Sequence, residues 1–299
     1  MSGTPKKSIR EKGRIALEPP LEDGAAYHVV VNALEGKSGW TPTARFASAI
    51  WHAMSGHLPH HRYRDAGRAR RRDGVREGEV ERAVFEWLEA DLNPAIHFMR
   101  SLTSRAAAFA CYNAYNEAVE LGVRTKASSH AGSGIVVRRE VLGAFEDLEP
   151  CRLGTVAVLN AQIAAIGLSE AQGFAPKPKT LSSVAAMLGV AGSAGHDVSM
   201  ALEMEGCLSV AELAARLGCR QRTLQRRLRQ EGLTAEGLRH AWRMVSATDR
   251  LRSPASLTEI AFELGFSDLA HMTRAFRSSC GMAPSQLRKL AYMDMATAA

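Results

Sequence analysis

The sequence predicts a mainly α-helical protein with a tandem helix-turn-helix domain at its C-terminal end and an N-terminal domain that is α-rich but of α+β type. Three observations carry this. Apolar residues recur at three- and four-residue steps, a capped-helix pattern repeats 47 residues apart, and the excess positive charge sits in the repeat. With 299 residues, 46% of them hydrophobic, the chain has the length of about two domains.

From the N-terminus, Lys6, Lys7, Arg10 and Lys12 lead into Glu18, Glu22 and Asp23 rather than an apolar core, so no secretory signal is expected. Tyr27 to Leu34, Gly134 to Val141 and Thr155 to Leu159 are rich in β-branched residues and predict strands, too few for an all-β barrel. Ala44 to Met54 and Gly78 to Gly122 predict helices, the second from Val80, Val84, Trp87, Leu88 and Leu92. Between them Arg62 to Arg76 packs seven arginines around Gly67 and Gly74, which predicts a solvated, mobile loop. The apolar stretch from Thr155 to Leu168 is broken by Asn160 and Gln162 and falls short of the roughly 20 residues of a membrane helix, so a cytoplasmic protein with no membrane contact is expected. Gly192 to Asp197 is turn-rich and marks the expected boundary between domains of residues 1–195 and 196–299.

Few residues in the N-terminal part suggest chemistry. His52, His57, His60 and His61 lie close in sequence near Trp51, but their spacing matches no standard metal site and surface or packing roles are expected; no metal and no cofactor is predicted. Tyr112, Tyr115 and Asn116 stand beside Cys111 at the end of a helical stretch, where they either line a pocket or, more commonly, fill the core. The cysteines, at 111, 151, 207, 219 and 280, are odd in number with no paired spacing, which predicts reduced, packed thiols.

The repeat is more informative. Ser209-Val-Ala-Glu212-Leu-Ala214-Ala-Arg-Leu217-Gly218 returns as Ser256-Leu-Thr-Glu259-Ile-Ala261-Phe-Glu-Leu264-Gly265. Serine three residues before glutamate is the capping-box pattern, and the glycine supplies the positive φ of a helix-ending turn. Second helices are expected at Arg220 to Gln230 and Asp268 to Ser278; Leu224, Arg226 and Leu228 align there with Met272, Arg274 and Phe276, so both the inward and the outward face recur. Thr234 to Ser253 predicts one long connecting helix, about 30 Å at 1.5 Å per residue, close to the 34 Å of one DNA turn. The net charge of +7 suggests a polyanionic partner; Cys207 to Leu290 holds 14 Arg and Lys against 7 Asp and Glu, while the remainder holds 24 of each and cancels.

Here the sequence resembles the bacterial AraC/XylS family of regulators, over about Leu208 to Leu290. The second unit carries the signature nearly complete: Ile260-Ala261, Gly265-Phe266-Ser267-Asp268, Arg274-Ala275-Phe276-Arg277, then Gly281-Met-Ala-Pro284-Ser285 and Arg288. Met272 stands where an aromatic is common in the family and His271 where tyrosine often is. The resemblance implies a seven-helix tandem helix-turn-helix domain that binds double-stranded DNA, preceded by a regulatory domain that senses a small-molecule effector, pairs two chains into a homodimer, or both; RNA polymerase is a further expected partner. Family regulatory domains are often cupin-like barrels, for which the N-terminal part lacks strands. Control by protein partners or by abundance is the alternative to an effector.

The outward Arg222, Gln225 and Arg226 match family positions for base contact in the first unit, and arginine and glutamine suit guanine and adenine edges respectively. Arg220, Arg227 and Arg229 are expected at phosphates or in solvent. In the second unit the outward set is Leu269, Ala270, His271 and Arg274, with Arg277 also counted as DNA-binding; Arg274 is expected to read most, and Leu269 or Ala270 to touch a thymine methyl. No enzymatic activity is expected. Cys111 and His130 invite comparison with the amidotransferase-like domains of some relatives, yet 106–110 reads as helix; Cys151 lacks the histidine that follows the methyl-accepting cysteine of others.

Overall fold

The computed structural model describes residues 24–298 except 37–39, 75, 120, 130–134, 143–144 and 173–178. The chain enters through β1 (Ala25–Tyr27), α1 (His28–Glu35), α2 (Pro42–Met54), β2 (His57–Pro59), α3 (His60–Asp73), α4 (Glu77–Glu89), α5 (Pro94–Arg100) and α6 (Arg105–Ala118). There follow β3 (Val123–Ser129), β4 (Ile135–Val141), α7 (Glu149–Gln172) and α8 (Leu181–Met187). Seven more helices complete it: α9 (Ala194–Glu205), α10 (Val210–Arg216), α11 (Gln221–Gln230), α12 (Ala235–Arg250), α13 (Leu257–Glu263), α14 (Leu269–Cys280) and α15 (Pro284–Ala298). The protein is mainly α. Its described strands form two antiparallel pairs, β1 with β2 and β3 with β4, the second in register from Val123 opposite Val141 to Ser129 opposite Ile135.

Several expectations for the N-terminal part are corrected. Tyr27 to Leu34 is not a strand: after Tyr27 the chain turns into α1, whose residues from His28 to Leu34 are all buried. A helix buried on every side has no amphipathic period, so its β-branched Val29, Val30 and Val31 imitate a strand. Thr155 to Leu159 is likewise interior to α7, whose Ala157, Val158 and Leu159 are buried. Gly134 to Val141 is β4 from Ile135 onward, and its partner β3 escaped notice. The stretch of 78–122 is three helices, divided where Asn93 caps α5 ahead of Pro94 and where Ser104 caps α6.

The arginine-rich segment is no loop. It forms α3, which buries His60, Tyr63, Ala66 and Gly67. Three of its arginines are tied to other elements: Arg62 donates to Glu35 at 2.9 Å, Arg68 to Glu146 at 2.7 Å, and Arg70 to the Leu34 carbonyl at 2.6 Å. Of the histidines near Trp51, His52 and His60 are buried, His57 is half-buried and His61 is exposed. The His28 and His52 rings stack at 4.2 Å, and His28 pairs with the buried Asp91 at 2.5 Å. Burial pushes the His57 imidazole down to about 4. Among the described residues no cluster of His, Cys, Asp or Glu fits a metal ion, and no helix is long and apolar enough to cross a membrane. His130 and the basic N-terminal residues lie outside the described residues.

The N-terminal helices lie directly on the C-terminal ones. Helix α2 packs on α12 and α14, α5 on α12 and α14, and α6 on α15. Polar bonds stitch the same boundary. Asn93 Nδ2 donates to the Ser279 carbonyl at 3.0 Å, the Gly56 amide to the same carbonyl at 2.9 Å, and the Ser279 hydroxyl to the Ala53 carbonyl at 2.8 Å. His97 meets Asp249 at 2.6 Å.

Candidate nucleic-acid interface

The two halves of the repeat fold alike. Helices α10 and α13 have seven residues each, and each begins in a complete capping box, Ser209 with Glu212 and Ser256 with Glu259. The serine hydroxyls accept the glutamate amides at 3.2 and 3.1 Å, and the glutamate carboxylates accept the serine amides at 2.7 and 2.6 Å. Hydrogen bonds from the serine hold both carboxyls below their usual range. Each helix ends at a glycine with positive φ, Gly218 at 61° and Gly265 at 77°, a conformation a Cβ disfavours. Ser209→Ala and Ser256→Ala are each expected to cost about 1 kcal/mol of stability, read as a lower urea midpoint at unchanged slope.

The second helix of each unit has one buried and one exposed face. Helix α11 buries Leu224 and Leu228, and α14 buries Met272, Ala275, Phe276, Ser279 and Cys280. At a constant offset of 48, Arg222, Arg226 and Arg229 correspond to Ala270, Arg274 and Arg277, and all six are exposed. The i, i+4, i+7 spacing places each trio on one side of its helix. Met272, at the position that corresponds to Leu224, is fully buried.

On α11 the expected residues come together: Arg220, Arg222, Gln225, Arg226 and Arg229 share one open surface. Gln221 and Thr223 join them there, missed in the sequence although Gln221 lies one turn before Gln225. Arg227 is exposed but does not border that surface. On α14 the set divides. Ala270, Arg274 and Arg277 are exposed, Leu269 is half-buried against the core, and His271 is held locally. Its Nδ1 lies 3.2 Å from the Ser267 hydroxyl and its ring meets Phe266 edge-on at 5.4 Å. The helix starts also differ: Asp268 caps α14 through the His271 amide at 2.5 Å, whereas Arg220 makes no side-chain cap on α11.

Connector α12 spans 16 residues, shorter than expected, and is about 24 Å long. It is buried on most sides, because α2, α5, α9 and α13 all pack on it. Arg243 is therefore interior; its Nη2 reaches Cys207 Sγ at 3.5 Å and its Nη1 lies 3.7 Å from Glu236. The cysteines weighed as nucleophiles are also interior. Cys111 is fully buried within α6, and burial pushes both its thiol and that of Cys151 up, the latter to about 12. Neither is a thiolate at neutral pH.

A family model described as a helix-turn-helix domain matches residues 213–290. The HTH-type transcriptional activator RhaS of Escherichia fergusonii is 39% identical over 79 residues, which cover 26% of this chain and 28% of that protein. RhaS of Klebsiella pneumoniae is 38% identical over 80 residues, 26% of this chain and 29% of that protein. The chain thus spans less than a third of the length of these curated relatives. The crystal structure of the transcriptional regulator CdpR from Pseudomonas aeruginosa aligns over 70% of this chain and 86% of that one, at 18% identity and a TM-score of 0.26, too low to bear on the fold.

Proposed function

We propose that this chain, whose C-terminal domain belongs to the AraC/XylS family of helix-turn-helix regulators, controls transcription by reading two adjacent major-groove segments of double-stranded DNA, one through α11 and one through α14. The observation that carries the reading is the recurrence, at a fixed offset, of an exposed face on two helices whose other faces are buried. Arg222, Gln225 and Arg226 read base edges in the first segment, and Arg220 and Arg229 hold phosphates. At the start of α11 the Thr223 amide donates to the Arg220 carbonyl at 2.8 Å and no side chain caps the turn, which leaves the Gln221 and Arg222 amides to face a phosphate; on α14 the Asp268 carboxylate takes the His271 amide instead. In the second segment Arg274 reads a base, Ala270 meets a thymine methyl, Arg277 supports from the backbone side, and His271 and the half-buried Leu269 take lesser parts. The first unit is the stricter reader.

The N-terminal part, proposed as residues 1–195 ahead of a DNA-binding domain of 196–299, modulates this reading through a small-molecule effector. The packing of α2, α5 and α6 against α12, α14 and α15 supports a direct mechanical route. Contact with RNA polymerase and pairing of two chains are proposed with it.

The test is selection of bound sequences from a random duplex pool by the full-length protein, with Arg226→Ala and Arg274→Ala in parallel. Two short boxes about one helical turn apart, each variant blurring a different one, are expected; a single box insensitive to Arg274→Ala contradicts the tandem reading. Arg229→Ala is expected to weaken specific and non-specific binding alike and to flatten the salt dependence by about one phosphate contact, which titration at several salt concentrations measures.

A further inference from the structure

Four of the five tyrosines in the chain, Tyr27, Tyr63, Tyr112 and Tyr115, line one cavity together with Asn116 and Thr125. It lies between β1, α3, α6, β3 and α7. The sequence left Tyr112, Tyr115 and Asn116 open between core and pocket; they are buried and they also wall this space. The free volume is about 40 Å³, some three times the minimum of roughly 10–15 Å³ for one water.

Two polar groups in the wall are unsatisfied. Tyr115 is 3% exposed, and its hydroxyl, like that of the half-buried Tyr27, is shielded from solvent and has no hydrogen-bond partner. Their rings meet edge-on at 5.1 Å. A buried hydroxyl left unpaired is costly, and native interiors rarely keep one without a partner. Tyr63, by contrast, is fully engaged, donating to the Cys151 carbonyl at 3.2 Å and accepting from Arg139 at 3.2 Å.

We infer that this cavity is the effector site, and that its ligand is a compact neutral molecule of a few heavy atoms bearing a carbonyl or hydroxyl oxygen, held by the hydroxyls of Tyr27 and Tyr115. The inference rests on the reading of the N-terminal part as ligand-sensing. Size follows from the volume. Neutrality follows because no aspartate, glutamate, lysine or arginine is among the residues that line the cavity, and an ion brought into an aromatic wall without a counter-charge would not recover its hydration. A carbonyl oxygen has two lone pairs and accepts from both phenols, which burial keeps protonated.

The site is joined to the second reading unit. Helix α6, which carries Tyr112, Tyr115 and Asn116, is gripped at both ends. At its start the amides of Thr103 and Ser104 donate to Asp294 on α15. At its end Val119 closes on Gly281, where a Cβ would stand 2.6 Å from Val119 Cγ2, at the C-terminus of α14. A ligand that shifts α6 therefore displaces α14 before α11.

Saturation-transfer NMR on the full-length protein tests this, with 2-butanone as probe and propionate as an anionic molecule of similar size. Binding of 2-butanone but not propionate is expected, weakened at least about tenfold in the doubly substituted Tyr27→Phe/Tyr115→Phe protein. That protein is expected to melt no lower than wild type, since it loses no hydrogen bond; each single substitution serves if the pair does not fold. Saturating 2-butanone is expected to change affinity for the selected DNA at least about fivefold, through the box that Arg274→Ala blurs. Failure of 2-butanone to bind, equal binding in the doubly substituted protein, or equal binding of propionate overturns the site and marks the cavity as holding water. Binding without effect on DNA overturns the coupling. The two-box motif is read without the probe, so its absence is a failure of the DNA reading and not of the cavity.

Discussion

Arg226→Ala is expected to lower affinity for the selected DNA site by about 10- to 100-fold while leaving non-specific binding nearly unchanged. A bidentate arginine–guanine contact discriminates by roughly 1–3 kcal/mol, and each 1.4 kcal/mol is tenfold. Arg226 is exposed at the centre of the α11 surface, so its removal leaves the buried Leu224 and Leu228 untouched and the melting temperature should not move. Titration against the selected duplex and a scrambled duplex measures the two affinities. Equal losses on both would assign Arg226 to the phosphate backbone instead. Arg274→Ala is expected to act in the same direction but less, because its neighbours Ala270 and Leu269 offer no further polar readout.

The second large effect is on stability. Asp294 is fully buried, and its carboxylate accepts from the Ser104 amide at 2.8 Å, the Thr103 amide at 3.0 Å and Arg252 Nη2 at 2.7 Å. Arg252 also donates to the Ser101 carbonyl at 2.6 Å. One carboxylate thus joins α15, the turn before α6 and the segment after α12. Asp294→Ala leaves a partly buried guanidinium and two amides without their acceptor and is expected to cost about 3–5 kcal/mol, a large part of a typical domain's roughly 5–15 kcal/mol. Urea unfolding measures it. Burial raises the Asp294 pKa, but Arg252 and the two amides outweigh that and hold it below the ordinary carboxylate value. A depressed folded pKa contributes stability above the unfolded value, about 3.9, and loses it as pH falls through the lower folded value. The difference between wild type and Asp294→Ala should therefore be constant from pH 7 to about 5 and narrow below about pH 4.

Legibility was uneven along the chain for identifiable reasons. Both capping boxes, both turn glycines and the burial of Leu224, Leu228, Met272 and Phe276 were readable, since each depends on residues within one or two turns of helix. The burial of Arg243 was not readable, because it is set by α2, α5 and α9 closing over α12, not by α12 itself. Segment 62–76 was misjudged because the groups that hold Arg62, Arg68 and Arg70, which are Glu35, Glu146 and the Leu34 carbonyl, lie 27 to 78 residues away. Segment 27–34 failed because a helix buried all round carries no period to read, and 155–159 because consecutive Val156, Ala157, Val158 and Leu159 inside α7 imitate a strand.

The sequence by itself determined the tandem helix-turn-helix, its outward arginines and its resemblance to the AraC/XylS regulators, because a repeat of local signals needs no knowledge of what packs around it. Tertiary structure alone decided that Tyr27, Tyr63, Tyr112 and Tyr115 converge on one cavity, that α6 is held at both ends by the second unit, and that Asp294 ties three segments together. These depend on contacts between residues far apart in the chain, and such contacts follow from how the helices bury their faces together, not from any periodicity within one of them.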